Sequence, residues 1–140
     1  MSSRRLAREC ALKFLFSFDL LREDVELVLT RFKDHVDDYR KLDAHQFFFE
    51  QIIRGVVKYL DLLDVAIEEH SEHWRVSRMT YVDRNILRIA TFELLYQKEL
   101  SSKIIINEAI EIAKRFGDTS SPAFINGVLD AIAHTKVDSK

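Results

Sequence analysis

The stretch VDRNILRIATFELLY, Val82 to Tyr96, constrains the fold more than any other part of the chain. Its apolar residues Val82, Ile86, Leu87, Ile89, Ala90, Phe92, Leu94 and Leu95 occupy more than one side of a helix, so other helices must wrap it to keep it from water. It contains no Gly, no Pro and no strict alternation suited to a strand. Arg84, Asn85, Arg88 and Thr91, spaced i, i+1, i+4, i+7, form the one polar stripe, which is expected to face water. Thr80 followed by Asp83 is an N-terminal cap pair, with Asp83 at the positive end of the helix dipole. The stretch is predicted to be the central rod of an all-α domain.

The rest of the composition fits that reading. At 140 residues and 47% hydrophobic, the chain is long enough for one core and short for two. Its 3 Gly and 1 Pro form no linker, so a single domain over 1–140 is expected. No apolar run has the length of a signal peptide or a membrane span, and the lone Cys10 leaves no partner for an internal disulfide, which together point to the cytoplasm. Cys10 lies on an apolar stripe with Ala7, Ala11, Phe14, Phe18 and Leu21 and is read as packing, without chemistry.

Charge is distributed unevenly. Residues 1–13 carry Arg4, Arg5, Arg8 and Lys13 against Glu9, a local balance of +3, which leaves −5 on the remainder of a chain whose formal net charge is −2. In the first helix, from about Arg4 to Leu21, arginines follow the cap residue Ser3 where a helix dipole favours acids, a placement that a bound anion would compensate. At about 100° per residue, Arg5 and Phe16 share a side of this helix, with Arg8 and Leu12 between them and the apolar stripe opposite. Arginine for phosphate and a ring for base stacking is the chemistry of single-stranded RNA binding. The plainer alternative is a solvated basic end with Phe16 tucked beneath a neighbour.

Further helices follow from periodicity. Val25, Val28, Leu29, Phe32 and Val36 mark a second; Asp37 to Leu42 reads as a loop; Asp43 with Gln46 resembles a capping box opening a third. A break near Lys58 to Asp61 separates it from a fourth ending near His70. Ile104 to Ile106 reads as a short connection before a helix capped by Asn107, with Glu108 and Glu111 at its start, Lys114 and Arg115 at its end and Gly117 beyond it. Ser121 as cap and Pro122 at the first position open the last helix. On that helix Phe124 falls to the side of the core stripe, beside Ala123 and Gly127, as a second stacking candidate or a partly buried boundary ring.

His70 and His73, flanked by Glu69 and Glu72, have the i, i+3 spacing of a ligand pair, but no third strong ligand stands at a recognisable spacing, so no metal is assigned. A small metal-dependent hydrolase built on them is the weakest of three functional classes. A helical protein adaptor with a basic docking end is another. No phosphate-binding loop, dinucleotide fingerprint or catalytic triad is present.

Four segments, RRLARECALKFLFSFDL, VDRNILRIATFELL, INEAIEIAKRFG and FINGVLDAI, in this order and spacing, resemble the bacterial NusB family of transcription antitermination factors over nearly the whole chain. The resemblance implies a seven-helix bundle in two halves, with no catalysis and no cofactor. It further implies a protein that pairs with NusE, a ribosomal protein of the small subunit, and binds the boxA element of nascent RNA within the transcription elongation complex, supporting transcription of ribosomal RNA. Carried over by position, the RNA surface falls on Arg4, Arg5, Arg8, Phe16 and Phe124, and the NusE surface on Asp83 and Arg84. Whether the free chain is a monomer or a homodimer stays open.

Overall fold

The structure, a computed structural model, describes residues 3–72, 74–97 and 99–138, with backbone alone at 3 and 136–138. Among the described residues there are eight helices and no strand: α1 (Ser3–Leu21), α2 (Val25–His35), α3 (Asp37–Lys41), α4 (Gln46–Lys58), α5 (Leu60–Glu69), α6 (Tyr81–Tyr96), α7 (Ser102–Phe116) and α8 (Ser121–Asp138). Seven are the expected ones. The eighth, α3, is the single turn formed by the charged segment read as a loop. No described helix is long and apolar enough to cross a membrane.

The central rod is α6, which packs against α1, α4, α5, α7 and α8. In the first half, α1, α2 and α4 meet around an aromatic cluster: Phe14 lies edge-on to Phe32 at 5.6 Å and to Phe49 at 6.1 Å, and Phe32 stacks on Phe49 at 5.6 Å. The second half, α5 to α8 around α6, is aliphatic, with Leu63, Ile67, Ile105, Ile112, Ile125 and Leu129 buried. Packing between the halves is close enough to select a glycine. A Cβ at Gly55 in α4 would lie 2.1 Å from the Phe92 ring of α6, so only a residue without one lets that ring seat.

Several local expectations need correction. The polar stripe of α6 does not face water: Arg84, Asn85, Arg88 and Thr91 are all buried. Carboxylates from α1 and α5 reach the first three, a partnership between distant segments that periodicity does not register. Leu12, expected opposite the core, is buried, and Leu21, expected in it, is exposed. Asp43 adopts a left-handed backbone (φ 51°) inside a single 3-10 turn, and α4 begins without a side-chain cap, so the Asp43/Gln46 capping box does not form. Instead, the Gln46 amide donates to the Tyr39 carbonyl. The α7 helix starts five residues before the predicted Asn107, because Ser101 accepts from the Ile104 N–H and Ile105 continues the buried stripe of Ala109 and Ile112. The break between α4 and α5 falls at Tyr59, within the predicted window. Cys10 is buried, and burial pushes its thiol up to about 12, helped by the Asp38 charge, as suits a packing residue.

Candidate nucleic-acid interface

The outer side of α1 and the N-termini of α6 and α8 carry the predicted residues. The two ends of α1 behave differently. Arg4 is exposed, with its guanidinium 5.1 Å from the centre of the Phe48 ring of α4. Arg5 is partly buried and donates through Nε (3.0 Å) and Nη2 to Oε2 of Glu108, reaching across to α7. That bond raises the Arg5 guanidinium above the ordinary arginine value, against the opposing effect of burial.

Arg8 requires a correction. Its side chain is 4% exposed and forks onto Glu93 of α6 at 2.8 Å through both Nε and Nη2. Its Nη1 adds a 3.3 Å bond to Glu108, and its face lies 5.2 Å from Phe48. A guanidinium so enclosed is a structural tie between α1, α6 and α7, and the phosphate role assigned to it is withdrawn. Glu93 is its reason for being there. It is the buried acid of α6, and the residue pattern had offered a signal: an acid amid Phe92, Leu94 and Leu95 must have a buried cation as partner.

About three turns along α1 from Arg5, roughly 16 Å by helical rise, Phe16 is 38% exposed and meets the Tyr81 ring of α6 at 5.5 Å, edge to face. Tyr81 in turn covers the guanidinium of Arg84 at 4.3 Å. Arg84 is the second correction. It is buried and forks onto Asp19 of α1 at 2.7 and 2.9 Å, so it braces Tyr81 from beneath and does not offer itself to a partner. Asn85 and Arg88 also donate to Asp19, while Arg88 forks onto Asp64 of α5. Burial alone would raise the Asp19 carboxyl. The hydrogen bonds from Arg84 and Asn85, with the charges of Arg88 and Arg84, outweigh it and hold the group below its ordinary range.

Asp83 keeps a place at the surface edge. Its N–H donates to Thr80 Oγ1 (3.0 Å), forming the predicted cap, and its carboxylate accepts from the hydroxyl of Ser121 at 2.7 Å. Burial pushes the Asp83 carboxyl up; the Ser121 bond opposes this and the nearby Asp118 charge adds to it. Ser121 therefore serves as a strut between α6 and α8, and accepts from the Asp118 N–H as well. The close turn before it depends on Gly117, whose Cβ would lie 2.5 Å from the Ser121 hydroxyl. One helical turn beyond Ser121, Phe124 is half-buried against the core, and a Cβ at Gly127 would meet nothing within 4 Å, so that flank is open. The Phe16–Tyr81 contact and the Asp83–Ser121 bond thus bring the predicted stacking ring of α1, the predicted partner residue and the start of the Phe124 helix into one neighbourhood.

Sequence reasoning also missed the acids around α1. Glu9 is buried and accepts from Arg115 at 2.6 Å, and Asp38 of α3 pairs with Lys13. The basic end read from the sequence is therefore largely neutralised in space. His70 is committed to packing: its ring nitrogens lie 2.8 Å from the Ala66 carbonyl and 3.0 Å from Thr135 Oγ1, while His73 lies outside the described residues. No cluster of three or more metal-ligating side chains occurs among the described residues. A cleft of about 1050 Å³ opens between the end of α1, α5 and the turn before α6, but Asp19, Asp64, Arg84 and Arg88 at its base are already paired with one another.

A helical bundle that seals Arg8, Arg84 and Arg88 inside and leaves Arg4 and Phe16 exposed on one side has the build of a binding module. Comparison with known proteins gives the family. The family model described as the NusB family matches residues 5–134. The transcription antitermination protein NusB of Geotalea uraniireducens is 46% identical, covering 100% of both chains. Among solved structures, T. maritima NusB superposes with a TM-score of 0.78 at 38% identity, covering 96% of this chain and 92% of that one. Antitermination factors NusB and NusE in complex with double-stranded RNA give a TM-score of 0.81 at 25% identity, covering 96% and 98%. The chain belongs to the NusB family.

Proposed function

We propose that this protein is a transcription antitermination factor that binds boxA-type single-stranded nascent RNA as a heterodimer with NusE, supporting transcription of ribosomal RNA. It acts in the cytoplasm, as one domain, without catalysis or cofactor. The observation that carries the reading is the outer side of α1, where Arg4 and Arg5 stand at the helix N-terminus and Phe16 is exposed against Tyr81. Phosphates pair with the arginines and bases stack on Phe16 and Phe124, while Asp83 meets the partner. The neutralisation of Arg5, Lys13 and Arg115 by acids favours a second reading, an adaptor that binds protein alone.

The two readings separate in one experiment. Fluorescence titration of a boxA RNA against the protein, NusE and their mixture, across a salt series, is expected to show weak binding by the protein alone and much tighter binding by the mixture. Each phosphate contact contributes about −0.7 to the salt slope, so Arg4→Ala, at the exposed arginine, flattens the slope of the mixture by about that amount. Phe124→Ala weakens binding with little change in slope, since stacking is worth about 1 to 3 kcal/mol per base without a counterion. A mixture that binds RNA no better than NusE alone would support the adaptor.

A further inference from the structure

We propose that Glu108 is a resident anion on the RNA face, occupying the place on Arg5 that an RNA phosphate takes over, so that this carboxylate sets both the strength and the salt sensitivity of RNA binding. The proposal rests on the nucleic-acid reading above and concerns how that surface is regulated.

The geometry separates two functions for the two acids that face α1. Glu93 satisfies Arg8 with a bidentate fork at 2.8 Å for each bond, deep in the interior. Arg8 therefore does not need Glu108, which gives it only one longer contact of 3.3 Å. The second oxygen of Glu108 is used by Arg5, through Nε at 3.0 Å and through Nη2. This Nε and Nη2 edge is one of the two edges by which a guanidinium grips a phosphate in a fork. Arg5 is 28% exposed and Glu108 13%, so the pair sits at the rim, where a ligand can reach it.

Charge leads to the same conclusion. Arg5, Arg8, Glu93 and Glu108 sum to zero, so an approaching phosphate meets no net attraction from this group while Glu108 is in place. If Glu108 swings off Arg5, a phosphate oxygen replaces a carboxylate oxygen in the same charge-assisted bonds, and Arg8 stays paired through Glu93. The exchange trades one anion for another, so few counterions are released on balance and the Arg5 contact adds little to the salt slope while Glu108 keeps its charge.

Glu108→Gln tests the exchange because the negative charge is gone while the single amide oxygen can still accept from Arg5. The amide NH2 then replaces the oxygen facing Arg8, which loses its 3.3 Å contact and keeps its fork on Glu93. In the heterodimer, Glu108→Gln is expected to tighten boxA RNA about fivefold at low salt, the scale of one rim ion pair, and to steepen the salt slope by about 0.7. In an Arg5→Ala background the same substitution is expected to change affinity by less than about twofold. Unchanged or weaker RNA binding by Glu108→Gln, with an unchanged slope, would make Glu108 a support for Arg5 and overturn the proposal. So would a gain that persists without Arg5. Failure of the wild-type heterodimer to bind RNA is a different outcome, and overturns the nucleic-acid reading itself. A measurement on the unaltered protein guards against a misfolded variant: the Arg5 Nε–H resonance is expected to move when RNA is added to the heterodimer while that of Arg8 stays in place. Equal movement of both, or of neither, counts against the exchange.

Discussion

The ion pairs beneath α6 and those along the outer side of α1 use the same chemistry to opposite effect. In the interior, Arg8 with Glu93 and Arg84 with Asp19 are almost completely sealed, and each guanidinium is forked with bonds of 2.7 to 2.9 Å. At the rim, Lys13 with Asp38 leaves both partners about two-fifths exposed. An arginine in the first setting cannot leave its carboxylate without stranding a charge in the core. In the second it can, because water or an incoming anion takes over. The position of an arginine on a helix therefore says less about its function than the burial of the acid that meets it, and Arg5, between the two settings, is where structure passes into binding.

The sharpest way to break this comparison is to delete an interior acid. Glu93→Ala leaves Arg8 without its fork in a sealed site, and breaking a buried pair from one side costs about 3 to 5 kcal/mol. Urea unfolding monitored by helicity is expected to show that loss. A change below about 1 kcal/mol would mean that the interior pairs are as dispensable as those at the rim.

Asp19 sharpens the comparison through pH. Its folded carboxyl titrates below the ordinary value of 3.8, so the stability it contributes is present above that value and is lost as pH falls through the lower folded one. Asp19→Asn removes charge-assisted bonds to Arg84 and Arg88, each worth about 1.5 to 3 kcal/mol at most. Wild type is expected to be the more stable at neutral pH, with the gap closing in the acid range below 3.8. A gap independent of pH would assign the loss to packing and not to charge.

The legibility of the chain follows the same divide. The central rod could be read because its apolar residues cover too many sides of a helix to be exposed, a property local to α6. The caps at Thr80 and the break at Tyr59 were local too. Arg84, Arg88 and Arg8 were misplaced because their partners Asp19, Asp64 and Glu93 come from other helices, and a hydrophobicity period treats every arginine as a surface residue. The start of α7 was hidden by the β-branched run Ile104 to Ile106, which fits a helix once Ile105 has α6 to bury against. Among the candidate site residues, Arg4 is exposed, Phe16 is partly exposed beside Tyr81, Arg5 and Phe124 are half-buried, and the counter-acids that decide what they can do came only with the fold.

At the rim, Lys13→Ala is expected to change stability by less than about 0.5 kcal/mol, since an exposed pair contributes little against the entropy of holding two side chains together. Thermal melting at matched protein concentration measures this. A drop comparable to that of Glu93→Ala would erase the distinction between the two settings.

Asp83 gives the smallest effect and the most specific one, because it belongs to neither setting: it is a half-buried acid with a hydroxyl and no cation. Burial raises its carboxyl above the ordinary 3.8, so the stability linked to it is present below that value and lost as pH rises through the raised folded one, the reverse of Asp19. At neutral pH the ionised group is therefore a mild liability to the free protein. Asp83→Asn, which still accepts from Ser121, is expected to stabilise the free protein by less than about 1 kcal/mol at neutral pH, once solvent screening at this partly exposed site is counted, and by nothing in acid. If Asp83 meets NusE, a partner cation supplies the missing counter-charge, and the same substitution that steadies the free protein weakens the heterodimer. Asp83→Lys weakens it further by repulsion. Melting curves at two pH values, together with a titration of NusE, test both halves. Stabilisation without any loss of partner affinity would leave Asp83 as a strained structural acid and move the partner surface elsewhere.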